Sequence, residues 1–177
     1  MFRNLLVTLL LLFTGTHAMA DATYQTADEF LDEVFAGSVP EPEVVWLTGE
    51  RRDVAEKILG HRYPTLRVRY WRNHQRSAWI LEEVGKEQPI TTGVVVDKGR
   101  IERIKVLVFR ESRGWEVRHP FFTDQFKGAG LNGEQELDRP IDGISGATLS
   151  VRAMQKIARL ALYLDSVAGA KDVAPAP

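Results

Sequence analysis

The feature that most constrains the fold is a series of strand-like segments between residues 66 and 109. Leu66, Val68 and Tyr70 alternate with arginines and a tryptophan, which is the two-residue period of a strand that buries one face. Three further runs have the length and composition of strands: residues 78–84, 90–96 and 100–109. The turn sequence Asp97-Lys98-Gly99 joins the last two and predicts a hairpin. We therefore expect an antiparallel sheet at the centre of the protein.

Helical signals flank these strands on both sides. Thr26 and Glu29 form the pattern of a capping box and begin a short amphipathic helix that ends at Gly37. A second helix is predicted over residues 50–59, with Gly60 as its C-cap. A third follows residue 148, where apolar residues recur at helical spacing: Val151, Met154, Ile157, Ala158, Ala161 and Leu164. The predicted fold class is therefore α+β, with helices packed on an antiparallel sheet in a single domain.

Two segments lack these periodic patterns. Residues 111–139 are rich in glycine and polar residues, so we expect a long functional loop there, with one short helix near residues 121–126. Residues 165–177 are small and polar and end in proline, which predicts a disordered tail.

The first twenty residues have the pattern of a secretory signal peptide. Arg3 precedes a nearly continuous apolar run over residues 5–13, and Ala18-Met19-Ala20 is an A-x-A cleavage signal. The apolar run is short for a membrane-spanning helix. We expect cleavage before Asp21 and a periplasmic location. The alternative is an uncleaved anchor that holds the protein at the membrane, facing the periplasm.

Composition narrows the chemistry that the chain can perform. The sequence contains no cysteine, so disulfides, iron–sulfur clusters, Cys-type zinc sites and c-type haem attachment are excluded. The formal net charge is −1, and it becomes −2 after removal of residues 1–20, which contain one arginine and no acid. A balance so close to neutral provides no general attraction for nucleic acid or membranes. Because the chain has no cysteine, redox chemistry would require an organic cofactor or a His/carboxylate metal site.

The stretch Asp142-Gly143-Ile144-Ser145-Gly146-Ala147-Thr148 has the properties of a phosphate site. Its two glycines allow a sharp turn and a close approach of the backbone to a ligand. It leads directly into the last predicted helix, whose free N–H groups and dipole favour an anion. An ordinary loop with a Ser or Thr N-cap has the same local pattern, so these residues alone leave both interpretations open.

The same seven residues resemble the flavinylation motif of the FMN-binding domain family. That family includes the C subunit of the sodium-pumping NADH:quinone reductase and the G subunit of the Rnf complex. The resemblance implies that a separate flavin transferase moves FMN from FAD onto the hydroxyl of Thr148. It also implies a cofactor site formed by the motif and its neighbour: Asp142, Gly143, Ser145, Gly146, Ala147, Thr148 and Leu149.

A second segment is similar to the family's pattern. The family often has a Glu-Thr-Pro-Gly-like turn upstream of the motif, followed by an aromatic residue and a Gln-Phe pair. Glu111-Ser112-Arg113-Gly114, Trp115 and Gln125-Phe126 occupy these places, with Ser112 and Arg113 replacing the Thr and Pro. Trp115 is our candidate for packing against the flavin ring, and a plain core or surface aromatic is the alternative.

The sequence patterns and the resemblance together divide the chain into four parts. We expect a signal peptide over residues 1–20 and an N-terminal helical and strand region of the same domain over 21–87. The FMN-binding core is expected over residues 88–164 and the tail over 165–177. The role of residues 21–87 is not defined by the resemblance.

Two other patterns suggest functions that we consider less favoured. The first is a basic stretch interleaved with aromatic residues, which could indicate binding of single-stranded nucleic acid: Arg62, Arg67, Arg69, Arg72 and Arg76. Export disfavours a nucleic-acid partner, and the alternation favours the solvent face of a strand, with a docking patch for an acidic partner as an intermediate possibility. The second is the set His61, His74 and His119, whose spacing does not indicate a metal site.

These observations favour an exported electron-transfer protein over an enzyme with its own substrate. Its expected partners are a flavin transferase for maturation and a membrane redox protein. Two alternatives remain: an FMN-dependent reductase of a small oxidant, and a binding module of the same fold that carries no flavin.

Overall fold

The protein is described by a computed structural model over residues 22–169. In this range the chain forms one antiparallel sheet with the strand order β1-β6-β5-β4-β3-β2. The strands are β1 (Ala22–Thr23), β2 (Glu43–Trp46), β3 (Arg67–Asn73), β4 (Arg76–Val84), β5 (Pro89–Asp97) and β6 (Arg100–Phe109). The helices are α1 (Ala27–Phe35), α2 (Glu50–Leu59), α3 (Pro120–Thr123) and α4 (Thr148–Gly169). Short 3-10 helices cover Trp115–Arg118 and Asp124–Phe126. The predicted α+β class is confirmed.

Helices cover both faces of the central strands. The long helix α4 packs across β4 and β5 on one face, where α2 also lies, and together they enclose the main core. On the opposite face α1 presents its apolar side to β4, β5 and β6 through Phe30, Leu31, Val34 and Phe35. Every residue of β5 except its two ends is buried, as expected for a strand covered on both faces.

Local signals located several elements correctly. The capping box of α1 is present, because the Thr26 side chain accepts from the Glu29 N–H and the Glu29 carboxylate accepts from the Thr26 N–H. Helix α2 has the predicted bounds, with Gly60 in the left-handed conformation at its end. Strands β5 and β6 form the predicted hairpin. The expected single short helix near residues 121–126 is instead divided into α3 and a 3-10 helix.

The predicted boundary of the tail at residue 165 is wrong. Helix α4 continues to Gly169, and the side chain of Asp165 is buried. Its carboxylate accepts a hydrogen bond from the Ser77 hydroxyl at 2.6 Å and forms an ion pair with the Arg72 guanidinium at 2.8 Å. Partners on two strands therefore hold the last turns of α4 on the sheet. Residues 170–177 and the predicted signal peptide lie outside the described residues.

Within residues 22–169 there is no helix with the length and apolar composition that crossing a membrane requires.

The Arg72–Asp165 pair yields a stability prediction. Burial raises the pKa of Asp165, and the Ser77 hydroxyl and the Arg72 guanidinium only partly oppose this effect. Asp165→Ala leaves Arg72 unpaired with its side chain 11 % exposed, which we expect to lower the free energy of unfolding by about 3–5 kcal/mol. Urea denaturation measures this loss.

The control replaces both charges by apolar residues of similar size. Arg72→Met combined with Asp165→Leu should recover most of the stability, because no uncompensated charge then remains in the interior. A loss below about 1 kcal/mol for Asp165→Ala alone would contradict the assignment of a buried pair.

Candidate functional site

The N-terminus of α4 is the structural centre of the site. Gly146 has a φ of 84° and ends the turn that leads into the helix, and the Ala147 carbonyl accepts the N–H of Val151 at 2.9 Å. Ala147 is buried, whereas Thr148, the first residue of α4, is exposed. The first N–H groups of a helix have no acceptor within it, so Thr148 stands among free backbone donors. An exposed hydroxyl at this position can carry a phosphoryl group close to the positive end of the helix dipole.

A short segment after β6 passes in front of this helix terminus. We refer to residues 111–114 as the strap. Gly114 has a φ of 84°, and a Cβ there would collide with the Ser150 hydroxyl and come within 3.1 Å of the Ser150 Cβ. The strap and the first turn of α4 thus touch with no space for a side chain at residue 114. This contact fixes Ser112 and Arg113 beside Thr148.

The strap, the β4–β5 turn and the start of α4 enclose a cleft of about 490 Å³. That volume lies in the usual range for small-molecule sites. Three segments of the chain line it, with these residues: Lys86; Glu111, Ser112 and Arg113; and Gly146, Ala147, Thr148, Leu149 and Ser150. Several of these are exposed, so the cleft is accessible from the surface.

Two cations flank the cleft. Lys86 forms an ion pair with its neighbour Glu87 at 2.9 Å, and Arg113 forms no ion pair with any residue between 22 and 169. The hydrogen bond and charge of Glu87 raise the pKa of Lys86, and the nearby charge of Arg113 opposes that effect. The two positive groups are therefore close enough to repel each other. An anion in the cleft would relieve this repulsion, which suits a phosphoryl group on Thr148.

The predicted site residues separate into two sets. Gly146, Ala147, Thr148 and Leu149 line the cleft. The other four do not: Asp142, Gly143, Ser145 and Trp115. The Asp142 backbone N–H donates to the Gln125 side chain at 2.7 Å, which ties the motif to the 3-10 helix at Asp124–Phe126.

Trp115 directly follows the strap and lies 45 % exposed on the surface. The Arg118 guanidinium lies over its ring at 5.3 Å from the centroid, and His119 meets it edge-on at 5.3 Å. Phe121, which is 62 % exposed, stacks on His119 at 6.1 Å. A row of aromatic rings with two exposed members thus follows the strap along the chain. The packing of Trp115 against a flavin ring stays a prediction.

Sequence reasoning did not select five residues that line the cleft: Lys86, Glu111, Ser112, Arg113 and Ser150. Three of them belong to the upstream segment that resembles the family, which was the one signal available for them. Lys86 has no local signal, because only the pairing of β4 with β5 brings its turn to the cleft.

The basic stretch of β3 and its surroundings is largely neutralised. Arg62 pairs with Glu56, Arg72 with Asp165, and Arg76 with Glu102. Arg67 and Arg69 are exposed on the sheet, so the interpretation as a solvent face is confirmed for these two arginines alone. His61 pairs with the buried Glu83 at 2.8 Å. Among the described residues, no group of three His, Asp or Glu side chains is arranged to hold a metal ion.

Comparison with known proteins identifies the domain. The family model for the FMN-binding domain matches residues 85–163, from the β4–β5 turn into α4. Residues 85–163 belong to the FMN-binding domain family. This FMN-binding domain contains Lys86, the strap and the Thr148 motif, which are all the segments that line the cleft. The family therefore indicates FMN as the ligand of this domain.

The fold extends the similarity beyond the FMN-binding domain itself. The chain is similar to the crystal structure of Shewanella oneidensis NqrC, with a TM-score of 0.52 and 15 % sequence identity. The alignment covers 81 % of this chain and 90 % of that one, so it includes part of residues 22–84. At this identity the similarity establishes a shared fold. A search of curated protein sequences finds no significant match.

The contact between the strap and α4 predicts the effect of a single methyl group. Gly114→Ala should destabilise the protein by about 1–3 kcal/mol more than Gly99→Ala, because overpacking adds to backbone strain at residue 114. Gly99 is a matched control, since its φ of 71° is also positive and a Cβ there would meet nothing within 4 Å. Thermal unfolding of both variants gives the comparison.

Ser150→Ala in the Gly114→Ala background removes the hydroxyl that the new methyl meets and should recover part of the loss. Equal destabilisation by Gly114→Ala and Gly99→Ala would show that the strap is not packed against α4.

Proposed function

We propose that this protein is an exported flavoprotein that carries FMN in phosphoester linkage to Thr148 and transfers electrons outside the cytoplasm. The observation that carries the proposal is the position of the Thr148 hydroxyl. It is exposed at the N-terminus of α4, inside a cleft flanked by Lys86 and Arg113, in a domain of the FMN-binding family. An acceptor for a phosphoryl group needs both an accessible oxygen and nearby positive charge.

Attachment requires a maturation partner, a flavin transferase that supplies FMN from FAD. In this step the Thr148 oxygen forms a new bond to the phosphorus of the FMN half, and the pyrophosphate bond breaks. AMP leaves, and the hydroxyl proton passes to the transferase or to solvent. The cleft suits this reaction because Thr148, Leu149, Ser112 and Arg113 are exposed, so a second protein can reach the hydroxyl.

The linked phosphate would be held by groups of this chain. The free N–H groups at the start of α4 would donate to its oxygens, and Arg113 and Lys86 would balance its negative charge. The flavin supplies the redox chemistry when bound. Covalent attachment prevents loss of the cofactor by dilution, which matters for a protein that works outside the cytoplasm.

An electron carrier is favoured over an enzyme with its own substrate by the shape of the site. The cleft opens at the surface, and the strap that lines it leads along the chain into the exposed Trp115, which is linked through His119 to the exposed Phe121. Exposed aromatic residues and arginine are enriched at protein interfaces. We propose a redox protein at the membrane as the partner that docks there. Export rests on the signal-peptide pattern of residues 1–20.

The decisive test of the linkage is the intact mass of the chain purified from cells that also produce a flavin transferase. The wild-type chain should gain the mass of FMN minus one water, and Thr148→Val should lose this gain completely, because the linking oxygen is gone. Thr65→Val is the matched control, since it makes the same substitution at an exposed threonine outside the motif and should keep the gain.

Two results would overturn the proposal of a covalent flavin. One is an unmodified wild-type chain while the transferase modifies a control protein. The other is an undiminished mass gain in Thr148→Val. A chain that also fails to bind free FMN would support the binding module without flavin.

A further inference from the structure

The turn between β4 and β5, Gly85–Gln88, is held by one carboxylate from the strap. The Oε1 atom of Glu111 accepts hydrogen bonds from three consecutive backbone N–H groups, those of Lys86, Glu87 and Gln88. The last two measure 2.7 and 3.0 Å. Successive N–H groups that converge on one oxygen form an anion-binding nest. Here the anion is a side chain of the protein itself.

The neighbouring residues are adapted to this contact. A Cβ at Gly85 would lie 2.8 Å from Glu111 Oε1, so any side chain there would displace the carboxylate. Arg110 binds the start of β5, donating to the Pro89 carbonyl at 3.1 Å and to the Thr91 hydroxyl at 2.8 Å. Two consecutive residues directly after β6 therefore hold the turn and the strand that follows it.

This attachment connects both walls of the cleft. Glu111 and Lys86 both line it, and Glu111 is followed by Ser112 and Arg113. At its other end the strap is packed against Ser150 of α4 through Gly114. The strap thus spans from the turn to the helix, and its bond to the turn sets the separation of Lys86 and Arg113 around Thr148.

We propose that Glu111 is a positioning residue of the flavin site. Its ionised carboxylate holds the Gly85–Gln88 turn and the strap so that Lys86 and Arg113 face the N-terminus of α4. This inference rests on the proposed function, because it concerns how FMN is received and held at Thr148. Glu111 acts through the turn and the strap, and it does not need to touch the flavin.

The charge of Glu111 is essential to this role, which gives the proposal a pH dependence. Partial burial alone would raise the pKa of Glu111, but the backbone N–H groups of residues 86–88 and the charge of Lys86 lower it below its ordinary value. The attachment is therefore complete above the ordinary glutamate pKa of 4.5 and is lost as the pH falls through the lowered value. The charged side chain that acts on it is Lys86, and the other charged residues next to it along the turn and the chain are Glu87, Arg110 and Arg113.

The first experiment measures the rate of FMN transfer onto Thr148 by a purified flavin transferase, followed by intact mass. Glu111→Gln should slow the transfer about tenfold or more, because a displacement of about 1 Å in a reactive site has effects of this size. Glu134→Gln is the matched control: it makes the same substitution at an exposed glutamate outside the cleft and leaves the three N–H bonds in place. Its rate should stay within about twofold of wild type, since surface charges contribute little.

The second experiment separates positioning from general stability. The visible circular dichroism of the attached flavin reports how rigidly the ring is held, and far-ultraviolet circular dichroism reports the fold. As the pH is lowered below 4.5, the flavin signal of loaded wild type should fall before the far-ultraviolet signal changes. Loaded Glu111→Gln should have the reduced signal already at neutral pH and no such acid transition. Gly85→Ala should behave similarly, although it retains the charge.

The possible outcomes distinguish the two proposals. If wild type never gains FMN, the proposed function fails, and this inference fails with it. If wild type and Glu111→Gln gain FMN at equal rates and have the same flavin signal across the pH range, this inference alone is overturned. If Glu111→Gln does not fold, the wild-type titration and Gly85→Ala decide: an unchanged flavin signal in both would overturn the inference.

Discussion

The packing of α4 across β4 and β5 is the interaction on which the candidate site depends. Its apolar side chains fill the main core from Val151 to Ala168, so the helix cannot shift along the sheet without opening cavities. Its first turn therefore projects to a fixed place beside the β4–β5 turn. The ion pair and hydrogen bond of Asp165 hold the opposite end. Thr148 owes its position to this helix as a whole more than to the loop that precedes it.

The electrostatics of the cleft follow from this arrangement. The helix N-terminus, Lys86 and Arg113 contribute positive potential around the Thr148 hydroxyl, and the Glu111 carboxylate is bound to the backbone N–H groups of the β4–β5 turn. Because Glu111 is already satisfied by backbone N–H groups, it leaves Arg113 available for an added anion. A phosphoryl group on Thr148 would complete a set of charges that is otherwise unbalanced. Under the proposed linkage, a covalent bond would hold FMN in a cleft that is open to solvent.

Much of the fold could be predicted from the sequence because its signals are local. The capping box at Thr26, the Gly60 cap and the turn at Asp97–Gly99 each involve residues that are close along the chain. Strands β1 and β2 were not predicted, because they are short and are defined by pairing with strands that are distant along the chain. The start of the tail was predicted too early for a similar reason. Asp165 is typical of a polar terminus in the sequence, but in the fold its buried carboxylate binds Arg72 and Ser77, which are far away along the chain.

The candidate site shows the same limit. The motif around Thr148 could be recognised from a short string of residues, and the domain comparison agrees with that recognition. Lys86 and the role of Glu111 depend on three segments that meet only after the sheet has formed. Of the residues expected at the cofactor, Asp142, Gly143 and Ser145 lie outside the cleft, because the turn at Gly146 directs the motif's first half towards Gln125.

Peptide mapping of the flavin-loaded protein by tandem mass spectrometry tests the position of the flavin directly. FMN should be carried by the tryptic peptide that ends at Arg152, and fragment ions should place it on Thr148. Flavin located on Ser145, on Ser150 or on another peptide would show that Thr148 is not the attachment site, and its absence from a chain exposed to an active transferase would exclude the covalent linkage.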